Sequence, residues 1–138
     1  MKDLERLKRI YSKTDGCCHL CHRKLSFHNH GKHGMKGAWH VEHSVAKANG
    51  GSSHMNNLFP SCISCNIIKS TKHTRTIRRT NGVSRAPYSK QKKNDIRTSN
   101  TLTGAAGGAL LGSYFGPAGT FFGGILGAIF GDENSPKK

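Results

Sequence analysis

Apolar residues are scarce in this chain, and acidic ones scarcer still. Only 34% of its 138 residues are hydrophobic. Much of that share falls in the last third, so the first hundred residues cannot close a large core. Small domains short of apolar surface are held by a disulfide set or by a structural metal. A complete disulfide framework does not suit this cysteine count. Five is odd, and four of the five form two Cys-x-x-Cys pairs in a chain with nine histidines, a pattern that fits a reduced compartment and a metal. An apolar leader is missing too: Met1 to Tyr11 alternates charges with Leu4, Leu7 and Ile10. It lacks the apolar core of a secretory signal, which leads us to expect a cytoplasmic protein. The shortage of acid has its own meaning. Seven Asp and Glu stand against 22 Lys and Arg, for a formal charge of +15. Residues 69–97 hold Asp95 as their one acid against ten basic residues. That imbalance is the footprint of a polyanion partner, with nucleic acid foremost; a solvated or disordered basic stretch is the plainer alternative beyond Asn81.

Against these absences, patterned segments are few and short. Leu4, Leu7, Ile10 and Tyr11 fall at helical spacing and predict a helix over residues 2–11. Thr14 to Cys21 reads as a turn presenting two thiolates, with Leu25 and Phe27 as apolar cover. Residues 27–37 are rich in His, Gly and Lys without periodicity. They read as a loop, with His28, His30 and His33 as polar loop residues rather than metal ligands. Alternation over residues 38–43 predicts a strand, residues 49–53 a turn, and residues 57–60 a second strand that Pro60 ends. A helix capped by Ser61 or Ser64 is expected from Cys62 to about Arg79, with Asn66, Lys69 and His73 on one face.

The chemistry lies in what these segments carry. Cys18, Cys21, Cys62 and Cys65 supply four thiolates, enough to close a tetrahedral zinc site. Glu42 and Asn66 offer a carboxylate and a carbonyl oxygen, a sparse hard-ligand set suited to Mg²⁺ or Mn²⁺. His43, with an ordinary pKa of about 6.5, can take a proton from a water near neutral pH.

In this order and spacing, Glu42-His43, Gly50-Gly51, Asn57-Leu58 and Cys62-x-x-Cys65-Asn66-x-x-Lys69 resemble the HNH endonucleases, the ββα-metal nucleases. The resemblance covers Cys18 to Lys69. It implies an α+β fold, a small zinc-stabilised ββα-metal domain, and metal-dependent hydrolysis of DNA with His43 as the base. It also implies that the two cysteine pairs share one zinc across forty intervening residues, that Glu42 and Asn66 hold the catalytic cation, and that Asn57 ties the loop that orients His43. Lys69 would meet a phosphate, with Lys72, His73, Arg75, Arg78 and Arg79 contacting nucleic acid around it. Two positions depart from the family pattern: Glu42 stands where Asp is usual, and Ala46 where proline is common. Three readings remain open: the nuclease, a non-catalytic zinc-dependent nucleic-acid-binding module, and a membrane-associated toxin or defence effector nuclease. RNA stays open as a partner.

The expected domains are a nuclease at 1–80, a basic linker at 81–101, a glycine-zipper helical hairpin at 102–131 and a charged tail at 132–138. Glycines at 104, 108, 112 and 116, and again at 119, 123, 127 and 131, flank Pro117-Ala118. Two short helices with bare glycine grooves are expected, suited to membrane association or self-association through residues 102–131.

Overall fold

The computed structural model describes residues 2–112 together with Ile125, Leu126 and Ile129. The chain divides into two units, Met1–Ser89 and Lys90–Lys138. The first opens with helix α1 (Lys2–Ser12), whose inner face buries Ile10 and sets Leu7 and Tyr11 against the core. Asp15 and Gly16 then turn the chain through positive φ. Gly16 tolerates no side chain, since a Cβ there would lie 2.6 Å from the Tyr11 ring. The turn that follows carries Cys18 and Cys21. It is closed by Cys18 N–H donating to Arg23 O and His22 N–H donating to Cys18 O, each at 2.9 Å.

Strand β1 (Trp39–His43) and strand β2 (Leu58–Cys62) pair antiparallel, with Val41 opposite Pro60 and His43 opposite Leu58. Trp39 is fully buried against Tyr11 and Phe27. Pro60 does not end the second strand as expected. Its carbonyl accepts the N–H of His19 at 3.0 Å on the side away from β1. A strand residue's N and C=O point the same way, so the missing N–H of Pro60 is one that β1 never needed.

Two helices replace the single one expected from Cys62 to Arg79: α2 (Ile63–Lys69) and α3 (Thr74–Thr80). Between them Ser70 adopts φ 46° and ψ −118°, a backbone conformation outside the helical region, and α2 stops there. His73 therefore does not share a face with Asn66 and Lys69. It caps α3 instead, its Nδ1 accepting the N–H of Arg75 at 3.2 Å. The break is pinned from outside. Thr74 Oγ1 donates to Ser44 O at 2.7 Å and the Asn49 amide donates to Thr71 O at 2.8 Å, which ties the α2–α3 turn to the loop after β1. Lys13 fixes the other edge, its ammonium donating to Met55 O and Leu58 O at 2.8 Å and lying 3.8 Å over the Phe59 ring. The core gathers Ile10, Leu20, Leu25, Trp39, Leu58 and Ile77 around three of the cysteines. It is as small as the composition implied.

The second unit contains helix α4 (Lys90–Gly112). It starts inside the stretch that reads as a linker and crosses the 101/102 boundary unbroken. The breakers, Gly82 and Pro87, precede Lys90, and residues 90–101 hold no glycine or proline. No helix among the described residues is long and apolar enough to cross a membrane. The expected turn at residues 116–119 lies outside the described residues. Of the second predicted hairpin helix, only Ile125, Leu126 and Ile129 are described; all three are helical and exposed.

Candidate functional site

The two Cys-x-x-Cys pairs converge. The Sγ atoms of Cys18, Cys21, Cys62 and Cys65 all lie within 4.8 Å of one another, with Cys21 and Cys62 3.8 Å apart. Zinc–sulfur bonds of about 2.3 Å in a tetrahedron place sulfurs about 3.8 Å apart, so this donor set fits the metal. The surroundings fit as well. Leu20 N–H points at Cys18 Sγ from 3.4 Å, the Ser64 hydroxyl lies 3.5 Å from Cys62 Sγ, and the Asn81 amide lies 4.0 Å from Cys65 Sγ. Four thiols this close cannot all ionise unaided. A hydrogen bond from Cys18 holds Cys62 well below the usual thiol range, whereas that bond together with burial drives Cys18 up and burial drives Cys65 up. A dication resolves that conflict. Four cysteines therefore form a cluster that could hold a metal ion such as zinc. Cys17 stays outside it, its thiol turned to the carbonyl of Asp15 at 3.8 Å.

Adjacent residues on β1 point to opposite sides, which separates Glu42 from His43. Glu42 faces α2 and is 3% exposed. Its Oε1 lies 2.6 Å from Lys69 Nζ, and its Oε2 lies 2.6 Å from His19 Nε2. The histidine contact is close but bent away from ideal hydrogen-bond alignment. His19 occupies the position between the two cysteines of the first knuckle. It stacks on Phe59 at 5.0 Å, and Arg78 reaches it through Nη2 to Nδ1 at 3.0 Å and Nε to the carbonyl at 2.9 Å. A guanidinium only donates, so Nδ1 must accept and Nε2 carries the hydrogen. Burial holds the His19 ring neutral by lowering its pKa, an effect stronger than the pull of Glu42. Burial alone would raise the pKa of Glu42, but hydrogen bonding and charge from His19 and Lys69 together bring it below the ordinary value.

Lys69, expected against a phosphate, is 1% exposed and donates to His43 O at 2.9 Å as well as pairing with Glu42. Arg78, expected at a nucleic-acid surface, is turned inward to His19. Of the other residues expected at nucleic acid, Lys72, Arg75 and Arg79 are exposed, as is His73, the N-cap of α3. Arg75 and Arg79 lie one turn apart on α3 and line an open hollow of about 410 Å³ with Gly82, Val83 and Ser84.

The fit of a second metal is different. Asn66 is half-buried, and its side-chain amide has no hydrogen-bond partner among the described residues. Glu42, the carboxylate meant to join it, already has a basic nitrogen at each oxygen. A divalent cation would have to displace Lys69 or His19 from a buried carboxylate, so the donor set as arranged does not fit a resident Mg²⁺ or Mn²⁺.

His43 ends β1 on the opposite side, half-buried, with Nε2 3.4 Å from Ser53 Oγ. Burial, and after it the charge of Lys47, lowers its pKa below the ordinary 6.5, which leaves the ring neutral at pH 7. The loop beyond it is held by Asn57. The Asn57 Oδ1 accepts Val45 N–H at 2.8 Å, while Nδ2 donates to Val45 O at 3.0 Å and to Ser52 O at 2.8 Å. Gly51 lies so close beneath Val45 that a Cβ would overlap the Val45 carbonyl. Ala46 has φ −60°, the value a proline ring would impose, so alanine keeps a backbone that proline would lock. The residues that sequence reasoning missed are His19, Arg6, Lys47 and Ser53. None sits at a diagnostic spacing, and only the tertiary fold brings them to Glu42 or His43. In comparisons with known proteins, no family model, no curated protein and no solved structure matches this chain.

Proposed function

We propose that the first unit is a zinc-stabilised endonuclease domain of the HNH kind, which hydrolyses DNA phosphodiester bonds with His43 as the base that takes a proton from the attacking water. One observation carries this reading. His43 is a neutral, half-exposed imidazole at the end of β1, beside a loop that Asn57 locks through three hydrogen bonds. A lowered pKa keeps the acceptor lone pair available at pH 7, and a fixed loop keeps it aimed. Zinc held by Cys18, Cys21, Cys62 and Cys65 would shape the domain and take no part in the step.

The committed carboxylate of Glu42 favours a second reading, a zinc-dependent nucleic-acid-binding module without catalysis, because it leaves Asn66 as the one free oxygen donor of the expected cation pair. Incubation of the zinc-loaded full chain with supercoiled plasmid in Mg²⁺, in Mn²⁺ and in EDTA separates the two. The nuclease reading predicts nicked or linear product under at least one of these conditions. Binding of the plasmid without cleavage under any of them establishes the module instead.

A further inference from the structure

His43 lies in a cleft between α1 and the β1–β2 sheet, about 370 Å³ in volume, floored by Leu7, Ile10, Val41 and Leu58 and rimmed by Asp3, Arg6, Lys47 and Ser53. The geometry points to this cleft as a phosphodiester-binding site, in which Arg6 and Lys47 hold a nucleic-acid phosphate beside His43. The inference rests on the reading of His43 as the working residue and replaces Lys69 as the expected phosphate contact.

Three observations support it. Arg6 is exposed, yet fixed in direction: its Nη2 donates to the Ser53 carbonyl at 3.0 Å, leaving its other donors free. Both Arg6 and Lys47 are near enough to His43 to lower its pKa by their charge. Neither is in an ion pair among the described residues. Two cations without ion pairs beside one imidazole make a field that favours an anion at that point. Asp3 offsets one of them, so the cleft carries one net positive charge before the ring is counted. An anion there would stabilise a protonated His43, the form that results once the base has taken its proton. The buried Lys69 cannot take this part, because its ammonium is enclosed between Glu42 and the His43 carbonyl.

The test uses the zinc-loaded full chain and a fluorescein-labelled 20-base-pair duplex, with anisotropy measured across a salt series. The Arg6→Gln/Lys47→Gln double variant is expected to bind about tenfold more weakly at 0.1 M salt. Its log–log salt slope should be shallower by roughly 2, since each phosphate contact contributes about 0.9. A Lys32→Gln/Lys36→Gln control removes the same charge from the exposed loop before β1 and should shift binding far less. Equal losses in the two double variants, or no duplex binding by the parent protein, would overturn the inference. Plasmid cleavage is scored separately. Weaker binding of the cleft variant in a protein that never cleaves would retain the binding site and remove the nuclease. Cleavage and binding both indifferent to Arg6 and Lys47 would do the reverse.

Discussion

Glu42 and His43 are neighbours in sequence and inhabit different chemistry. On one side of β1 lies a closed set of charges, Arg78, His19, Glu42 and Lys69, in which each polar group faces another across 3.0 Å or less. On the other side lies an open cleft whose two cations outnumber its one acid and whose histidine is half-exposed. The closed side links α3, the first knuckle, β1 and α2 and behaves as a fastening. The open side can receive a ligand. One strand thus divides holding from acting, and a motif read as a single site separates at the pleat.

The shared frame gives the largest effect. Cys62→Ser removes one thiolate from the cluster and should abolish cooperative folding of both sides, as chelation should for the parent. Structural zinc in small domains contributes an apparent 10–16 kcal/mol or so. Far-UV circular dichroism and zinc stoichiometry, with and without chelator, check this. Retention of the fold in the stripped protein would show that the core needs no metal.

Next comes the closed side. Lys69→Met leaves Glu42 buried without its ammonium and should cost about 3–5 kcal/mol in a urea melt. Adding Glu42→Gln to that variant should recover part of the loss, because the charge that needed a partner has gone. Acid should reach the same fastening. The folded pKa of Glu42 lies below its ordinary 4.5, so its contribution is fully present above pH 4.5 and fades as pH falls through the lower folded value. A stability-against-pH curve for the parent and for Glu42→Gln should therefore converge in acid.

The open side should yield less stability and more function. Asn57→Ala deletes three hydrogen bonds from an exposed loop and should cost about 2 kcal/mol, at roughly 1 kcal/mol or less for each bond. Cleavage should fall while zinc content stays unchanged. A melt and a plasmid assay on the same sample measure both. Full activity in a loosened loop would detach Asn57 from the positioning of His43.

Much of this division was hidden in the sequence for identifiable reasons. The two Cys-x-x-Cys pairs were legible because metal ligation demands fixed spacing, and the strand at Trp39 because alternation marks a pleat. The break at Ser70 was not, since no glycine or proline announces it and the hydrogen bonds that pin it come from Ser44 and Asn49, far away in the chain. Lys69 reads as a surface cation until Glu42 is found opposite it, and His19 is one more histidine until Arg78 fixes its tautomer. Burial of charge depends on partners, and partners come from the tertiary fold.

The most direct measurement is the cleavage rate of His43→Ala beside that of Glu42→Gln, both zinc-loaded and both confirmed folded under the assay conditions. The account predicts that His43→Ala slows cleavage by about a hundredfold or more while changing stability little. Glu42→Gln should lose activity only in proportion to its unfolded fraction. A folded Glu42→Gln protein that cannot cleave, beside a His43→Ala protein that still does, would contradict it.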